Sequence, residues 1–340
     1  MKIIEHLLCL AGMLLILPAC QKDFLPASQE GTRDEMGEVT FWLGGAASAT
    51  RSGSDAFDDD VLSARIAVYN PAGTLVTTGT ATGGSAITLS VPVGVANYTV
   101  RAIANGHRDP ADYQQDSTFM RQHSSFEDNV GAGTQGLEMV GTLSNMNFMN
   151  HGAYIVDLER LAAKVQIDRI EHATGNDASI SIKGIYLINV NTRCNLSAET
   201  PLCEWRQKQG YVASETSVIP LTADILTPAV SIPRDSTYRV AHYFYCYPNL
   251  TGSDSSAAAW SPRYTRLVVE ALYNGVTCYY PVNIVGSNKL LEANKLYRIE
   301  TLRITGPGST SPDVPINKGS GSFSVHVQNW GSGFSSNVTI

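Results

Sequence analysis

The sequence predicts an all-β protein of two tandem β-sandwich domains. Three observations carry that prediction. Apolar residues recur at every second position in many segments from Val61 onward, the period of half-buried strands. The chain holds 29 Gly and 15 Pro, the turn formers that tight all-β folds require. Hydrophobic residues make up 43% of 340 positions and charged residues 16%. That is enough apolar surface for two cores at this length, and too little charge for general disorder.

The N-terminus reads as an export signal. Lys2 and the apolar run Leu7 to Leu17 form its n-region and h-region; the run is too short to span a bilayer comfortably. It ends in "LPAC", with leucine three positions before Cys20 and the small Ala19 directly before it. This is the pattern of a bacterial lipoprotein signal, cut between Ala19 and Cys20, after which Cys20 carries the lipid. An ordinary secretory signal with a chance cysteine is the alternative. Residues 1–19 are then the signal and residues 20–36 a polar tether.

"EVTFWLGG" follows, with Val39, Phe41 and Leu43 alternating with Glu38, Thr40 and Trp42. It predicts a strand over 38–44. Residues 45–56 are small and flexible around one basic side chain, Arg51, which Ser52 follows. Arg51 is the only basic residue between Arg33 and Arg65. Ile66 and Val68 mark the next strand, before a Pro-Ala-Gly turn. Ile87, Leu89, Val91 and Val93 share one face, and Tyr98, Val100, Ala102 and Ala104 another. Residues 108–136 read as a long polar loop with short helical pieces. A composition shift near Asp157 divides an N-terminal sandwich, 37–156, from a C-terminal one, 157–340.

"DLERLAAKVQIDRI" fits both a helical face and an alternating strand; the strand is favoured from about Arg160. "ISIKGIYLINV" and "YRVAHYFYCYPN" are β-prone. In "RLVVEALYNGVTCYYPVNI", Asn274-Gly275 is the preferred pair for a two-residue hairpin. "KLYRIETLRIT" reads as one strand. Residues 306–321 form a Gly/Pro-rich loop. Phe323, Val325 and Val327 share a face, and Val338 and Ile340 lie together on an apolar strand left free at the end of the chain.

The chemistry-bearing motifs are few. A net charge of −7 with no basic block argues against a nucleic-acid partner. No HExxH, GxSxG or phosphate-cradling GxxxxGK[ST] occurs, so no enzyme activity, cofactor or metal site is predicted. Asp58, Asp59 and Asp60 lack a ligand loop of the EF-hand type. Four cysteines remain beyond Cys20. Cys194 and Cys203 sit close enough in sequence for a loop-closing disulfide; Cys246 and Cys278 lie in apolar runs as small core residues, with a bridge between them as the alternative.

What remains is the backbone itself. A sheet edge presents unpaired N–H and C=O groups that accept a strand from another molecule. An apolar strand at 38–44 is separable by one cut, and another lies at the C-terminus. The plainer reading is that both simply complete the chain's own sandwiches.

The order and spacing of "LPAC", "TRSG" before "ARIAVYNPAGTL", "LSVPVGVANYTVRAIAN", "LEMVG", "ERLAAKVQI", "FYCYPN" and "LEANKLYRIETLRITGPGSTSPDVP" leading to "VHVQNW" resemble the Bacteroidales fimbrillins, subunits of type V pili. The resemblance runs through most of the chain. It implies two transthyretin-like β-sandwiches and a precursor lipidated on Cys20, carried to the outer membrane and then to a cell-surface fimbrium. It implies that an arginine-specific surface protease cuts after Arg51, before Ser52, and removes the strand centred on Val39, Phe41 and Leu43. The donor is the C-terminal region, with Val338 and Ile340 as inserting residues. The implied partners are further copies in a head-to-tail polymer, anchor and tip subunits, and host or bacterial surface ligands. A shaft role fits Arg51 and the "SSNVTI" tail. An anchor or tip subunit is the alternative within the family. A lipid-tethered glycan-binding protein is the alternative outside it, with Trp205, Trp260 or the Tyr243, Tyr245 and Tyr247 set as aromatic platforms.

Overall fold

The computed structural model describes residues 35–44, 60–82, 86–126, 136–200, 203–208, 222–254, 260–317, 319–330 and 335–339, with only the backbone of the last segment. The alternation predicted from sequence becomes a burial pattern. The first strand, β1 (Met36–Gly44), buries Val39, Phe41 and Leu43. After it come β2 (Ser63–Tyr69), β3 (Leu75–Thr82), β4 (Ala86–Pro92) and β5 (Tyr98–Ala104). The predicted long loop holds a 3-10 turn at Pro110–Asp112, one short helix α1 (Asp116–Met120) and the small strand β6 (His123–Ser125). β7 (Met139–Met146) and β8 (Ala153–Arg160) complete the first unit.

Seven of these strands form one sheet in the order β3-β2-β5-β7-β8-β1-β4. The sheet curls until its ends meet. Gly79 of β3 lies so close to β4 that an added Cβ would stand 2.4 Å from a Leu89 methyl carbon. A larger residue there would have to displace the Leu89 and Ile87 side chains. The two halves of the curled sheet face each other across a core of Val39, Phe41, Ile66, Val68, Val100 and their neighbours.

The chain passes from this core to a second one between Leu158 and Leu161. The composition shift at Asp157 thus falls inside β8. The strand expected to start near Arg160 is two strands, β8 and β9 (Ala163–Ile167), with a break at Leu161-Ala162. The break has a physical cause. Leu161 and Ala162 are buried, the Leu161 N–H donates to the Glu138 carbonyl at 3.1 Å, and the Arg160 guanidinium lies 4.6 Å over the Trp330 ring.

Beyond β9 the strands are β10 (Ile170–His172), β11 (Ile180–Ile188), β12 (Val190–Asn191), β13 (Arg193–Asn195) and β14 (Trp205–Arg206). Next come β15 (Ala223–Ile232), β16 (Thr237–Tyr238), β17 (His242–Cys246), β18 (Arg266–Tyr273) and β19 (Val276–Asn283). The last are β20 (Lys295–Ile299), β21 (Leu302–Ile304), β22 (Gly321–Ser322), β23 (Ser324–Asn329) and β24 (Ser335–Thr339). The main sheets run β15-β11-β18-β19, β17-β9-β20-β23-β24 and β16-β10-β21-β22. "KLYRIETLRIT" is accordingly two strands in two sheets. β9 and β20 run parallel, both chains bend together, and β10 and β21 continue parallel in the other sheet. Bonds across the bend, Asp168 N–H to Ile299 O at 2.9 Å and Leu302 N–H to Arg169 O at 3.0 Å, keep the backbone paired while it changes sheet. The Asn274-Gly275 hairpin forms as expected, with φ of 51° and 84° and Tyr273 facing Val276.

The Gly/Pro-rich loop after β21 is pinned by buried charge. Asp313 accepts from Arg263 at 2.7 Å, from Arg266, and from the Asn189 amide at 2.8 Å. Both arginines are 1% exposed. Removing one member of such a network strands the others in low dielectric. Asp313→Ala is therefore expected to lower stability by about 3–5 kcal/mol, read as a fall in the urea midpoint. A midpoint within error of the parent would show that the network contributes nothing.

Candidate functional site

β1 is an interior strand. Met36 to Trp42 pair antiparallel with Pro92 to Ala86 of β4. On the other side Thr40 to Gly44 pair in parallel with Ala153 to Asp157 of β8. Its polar face is tied in as well: Thr40 Oγ1 lies 2.9 Å from Thr88 Oγ1, and the Glu38 N–H donates to the Asn150 side chain at 3.1 Å. The start of the strand is tight. A Cβ on Gly37 would meet Val93 at 2.6 Å and Asn150 at 2.9 Å.

On the inner face, Val39 and Phe41 are fully buried and Leu43 nearly so. Phe41 enters an aromatic cluster. Its ring lies 5.8 Å from Phe148 at 89° and 6.1 Å from Tyr154; Phe148 in turn lies 5.6 Å from Tyr98. Such edge-on and tilted pairs add to the burial of the rings themselves. Phe148 and Tyr154 were not singled out from sequence, because they flank a turn rather than sit in an alternating run. Without β1, the facing edges of β8 and β4 would lack ladder partners and an apolar slot would open between them.

The other predicted site residues divide into two groups. Ala19, Cys20, Arg51, Ser52 and Ile340 lie outside the described residues. Val338 lies in β24, its backbone paired with Val325 of β23. The C-terminal strand is therefore not free, as read from sequence; it is the last strand of its sheet, antiparallel to β23 from Ser324↔Thr339 to Gln328↔Ser335. Pairing there gives β23 a second neighbour beside β20.

Cys194 and Cys203 are free thiols in this structure, the first buried and the second exposed. Burial, then the nearby Glu138 and Cys203, push the Cys194 thiol well above its ordinary value. The Cys203 thiol donates to the Thr200 carbonyl at 3.1 Å. Burial raises Cys246 to about 12.

The aromatic sets are mostly structural. Tyr245 and Tyr247 are buried, Tyr245 stacked on Trp330 at 5.8 Å and Tyr247 on Phe126 at 4.7 Å. The Lys164 ammonium lies 4.7 Å over Tyr243. Trp205 and Trp260 come together at 5.6 Å, and the Trp260 N–H is held by Asn189 at 3.0 Å. Among the described residues, no group of three or more His, Cys, Asp or Glu is placed to hold a metal, and no helix is long and apolar enough to cross a membrane. A groove of about 640 Å³ lies beside the end of β8, lined by Arg101, Asp116, Asp157, Glu159 and Arg160 among others. Arg101 and Asp116 satisfy each other there at 2.8 and 2.9 Å.

No known family model and no curated protein matches the sequence. Solved structures do. A Bacteroides eggerthii protein assigned to cell adhesion aligns over 87% of this chain and 96% of its own, with TM-score 0.64 and 17% identity. A fimbrilin from Porphyromonas gingivalis aligns over 86% and 97%, with TM-score 0.57 and 15% identity. The tip fimbrial protein Mfa3 of the same species, truncated at its C-terminus, aligns over 87% and 100%, with TM-score 0.52 and 14% identity. At these identities the likeness is one of fold, and it extends over nearly the whole of each chain.

Two outcomes are expected from this geometry. Phe41→Ala should destabilise the first unit by about 3–5 kcal/mol, seen as an early transition in thermal unfolding; a loss under about 1 kcal/mol would mean the slot closes without β1's aromatic anchor. In the native protein under reducing conditions, iodoacetamide should modify Cys203 within minutes and reach Cys194 and Cys246 only after denaturation, as peptide mass mapping would record.

Proposed function

We propose that this chain is a structural subunit, a shaft subunit, of a type V cell-surface fimbria. It is exported as a lipoprotein precursor acylated on Cys20 and held at the outer membrane. An arginine-specific protease cuts between Arg51 and Ser52, and the freed subunit polymerises by strand exchange. The single observation that carries the reading is β1: an apolar strand paired on both sides inside its sheet, followed in sequence by the stretch that bears Arg51. The likeness to fimbrial proteins in fold supports it.

The mechanism follows from ladder accounting. Loss of β1 vacates the positions of Val39, Phe41 and Leu43 and unpairs the facing edges of β8 and β4. A strand from the C-terminal region of another copy, inserting Val338 and Ile340, re-forms the ladder. Filling the slot of the cut subunit re-forms two ladders and buries apolar side chains, roughly 1.5–3 kcal/mol per fully buried side chain. β24 must leave β23 to serve as donor, and that edge pairing is the opposing term. The reading keeps two domains, with the boundary expected at Asp157 moved to the end of β8 after Arg160, and anchor and tip subunits as further partners.

Limited trypsin treatment of the signal-free precursor tests this. The expected result is a new N-terminus at Ser52 and ladders that persist in unboiled SDS samples. Normal polymerisation of an Arg51→Ala variant would sink the cleavage site, and a cut monomer that never forms ladders would sink the shaft role.

A further inference from the structure

The small ribbon that joins the two units gathers positive charge on one face. β6 of the first unit pairs antiparallel with β13 of the second: His123 faces Asn195, Ser124 faces Cys194 and Ser125 faces Arg193. Ser124 and Cys194 are buried. The Ser124 hydroxyl meets the Glu138 carboxylate and, at 2.6 Å, the Tyr247 hydroxyl. Alternation then puts His123, Ser125, Arg193 and Asn195 on the opposite face. The ladder bonds on either side join Leu196 N–H to Gln122 O at 3.0 Å and Phe126 N–H to Thr192 O at 3.1 Å. His123 with Asn195, and Ser125 with Arg193, are therefore the pairs without mutual ladder bonds, whose side chains stand closer.

The cationic groups here lack an acceptor. The Nε2 atom of His123 is buried without a hydrogen-bond partner. Among the described residues the Arg193 guanidinium makes no hydrogen bond or ion pair; only its backbone N–H is engaged, with Asn191. Arg108 reaches the ribbon from the loop after β5, and its guanidinium donates to the His123 carbonyl at 3.4 Å. Burial, then Arg193 and Arg108, hold the His123 imidazole below its ordinary value, so both guanidiniums lie near enough to oppose a proton on the ring. The neighbouring carboxylates are engaged elsewhere. Asp109 pairs with Arg65 at 3.5 Å, Glu199 accepts from the Asn195 amide at 3.3 Å, and Glu138 lies on the buried face. Like charges brought together in this way repel one another unless an anion sits among them.

We propose that Arg108, His123 and Arg193 form a binding site for a tetrahedral oxyanion, a sulfate or phosphate group. Donors arriving from a loop and two strands suit the several oxygens of such a group, and guanidinium is the side chain best matched to it. The His123 Nε2–H would donate to one oxygen and the two arginines to the others. In a chain of net charge −7, this is a local reversal of sign. The bound group would tie β6 to β13 and so brace the join between the units. The site needs neither processing nor lipid nor polymer, so it stands apart from the functional reading above.

The test uses the signal-free precursor and sodium sulfate, with sodium chloride at matched ionic strength as the control. Sulfate does not titrate in the working range, so the His123 imidazole is the readout, followed by NMR and assigned with His123→Gln. Saturating sulfate should raise the His123 titration midpoint by about one unit, because a bound anion favours the protonated ring. Binding should accordingly tighten as the pH falls through that midpoint. Arg193→Gln should weaken sulfate binding at least tenfold with its urea midpoint in chloride unchanged, and Arg108→Gln should do the same. A sulfated monosaccharide that binds at least tenfold more tightly than inorganic sulfate would place the group on a glycan; equal binding would make the free ion the ligand. A His123 midpoint that sulfate leaves in place, or undiminished sulfate binding in Arg193→Gln, would overturn the proposal. So would sulfate binding that arises only when Glu127→Gln and Asp128→Asn are introduced, since the cluster would then serve the carboxylates that follow β6 in sequence.

Discussion

The constraint on which this structure turns is that an interior strand must satisfy backbone groups on both of its edges. β1 meets it with β4 on one side and β8 on the other. The two partnerships differ in kind, antiparallel along most of β1 and parallel over its second half. A parallel neighbour cannot be joined by a tight hairpin. β1 and β8 are accordingly distant in sequence, and all the intervening strands of the unit lie between them. Nothing short ties β1 covalently to either neighbour. An edge strand could leave its sheet at the loss of one ladder; β1 leaves two unpaired edges and an apolar slot. Its position therefore makes its removal costly, and makes another strand the natural way to restore the ladder.

The C-terminal strand stands in contrast. Among the described residues β24 pairs on one side only, with β23, so leaving its place breaks one ladder where β1's departure breaks two. A strand that moves from a one-sided to a two-sided position gains ladder bonds. That asymmetry gives the proposed exchange a direction in physical terms, and it follows from topology, not from the strength of any single contact.

Much of this was legible in the sequence because the side-chain period of a strand is two. Val39, Phe41 and Leu43 announced their inner face, and Asn274-Gly275 announced a hairpin. What was not legible depends on contacts between distant residues. "KLYRIETLRIT" alternates well enough to read as one strand, and only its pairing with β9 and β10 shows that it changes sheets. "LERLAAKVQI" conceals a break because Leu161 and Ala162 are apolar and buried like their neighbours. Asp313 sits in a loop that composition marks as exposed, yet Arg263 and Arg266 draw it inside. The tyrosines near 245 resemble a binding platform until Trp330 and Phe126 are found stacked on them. The residues most relevant to processing, Cys20 and Arg51, were read from local pattern alone and lie outside the described residues.

Trp42 shows why an alternating pattern is informative and incomplete at once. In period-two reading it falls on the polar face with Glu38 and Thr40, and the structure puts it there, half exposed beside Ile155. A strand selected only to fill its core has no reason to carry a tryptophan outward. A large exposed ring does not improve the ladder, and it adds to the risk of unwanted association. Trp42 and its register partner Ile155 are the large exposed apolar side chains at this end of an outer face otherwise set by Glu38 and Thr40. Because the inner and outer faces belong to the same nine residues, whatever removes one removes the other. The strand that fills the first core is thus also the strand that shapes this outer surface.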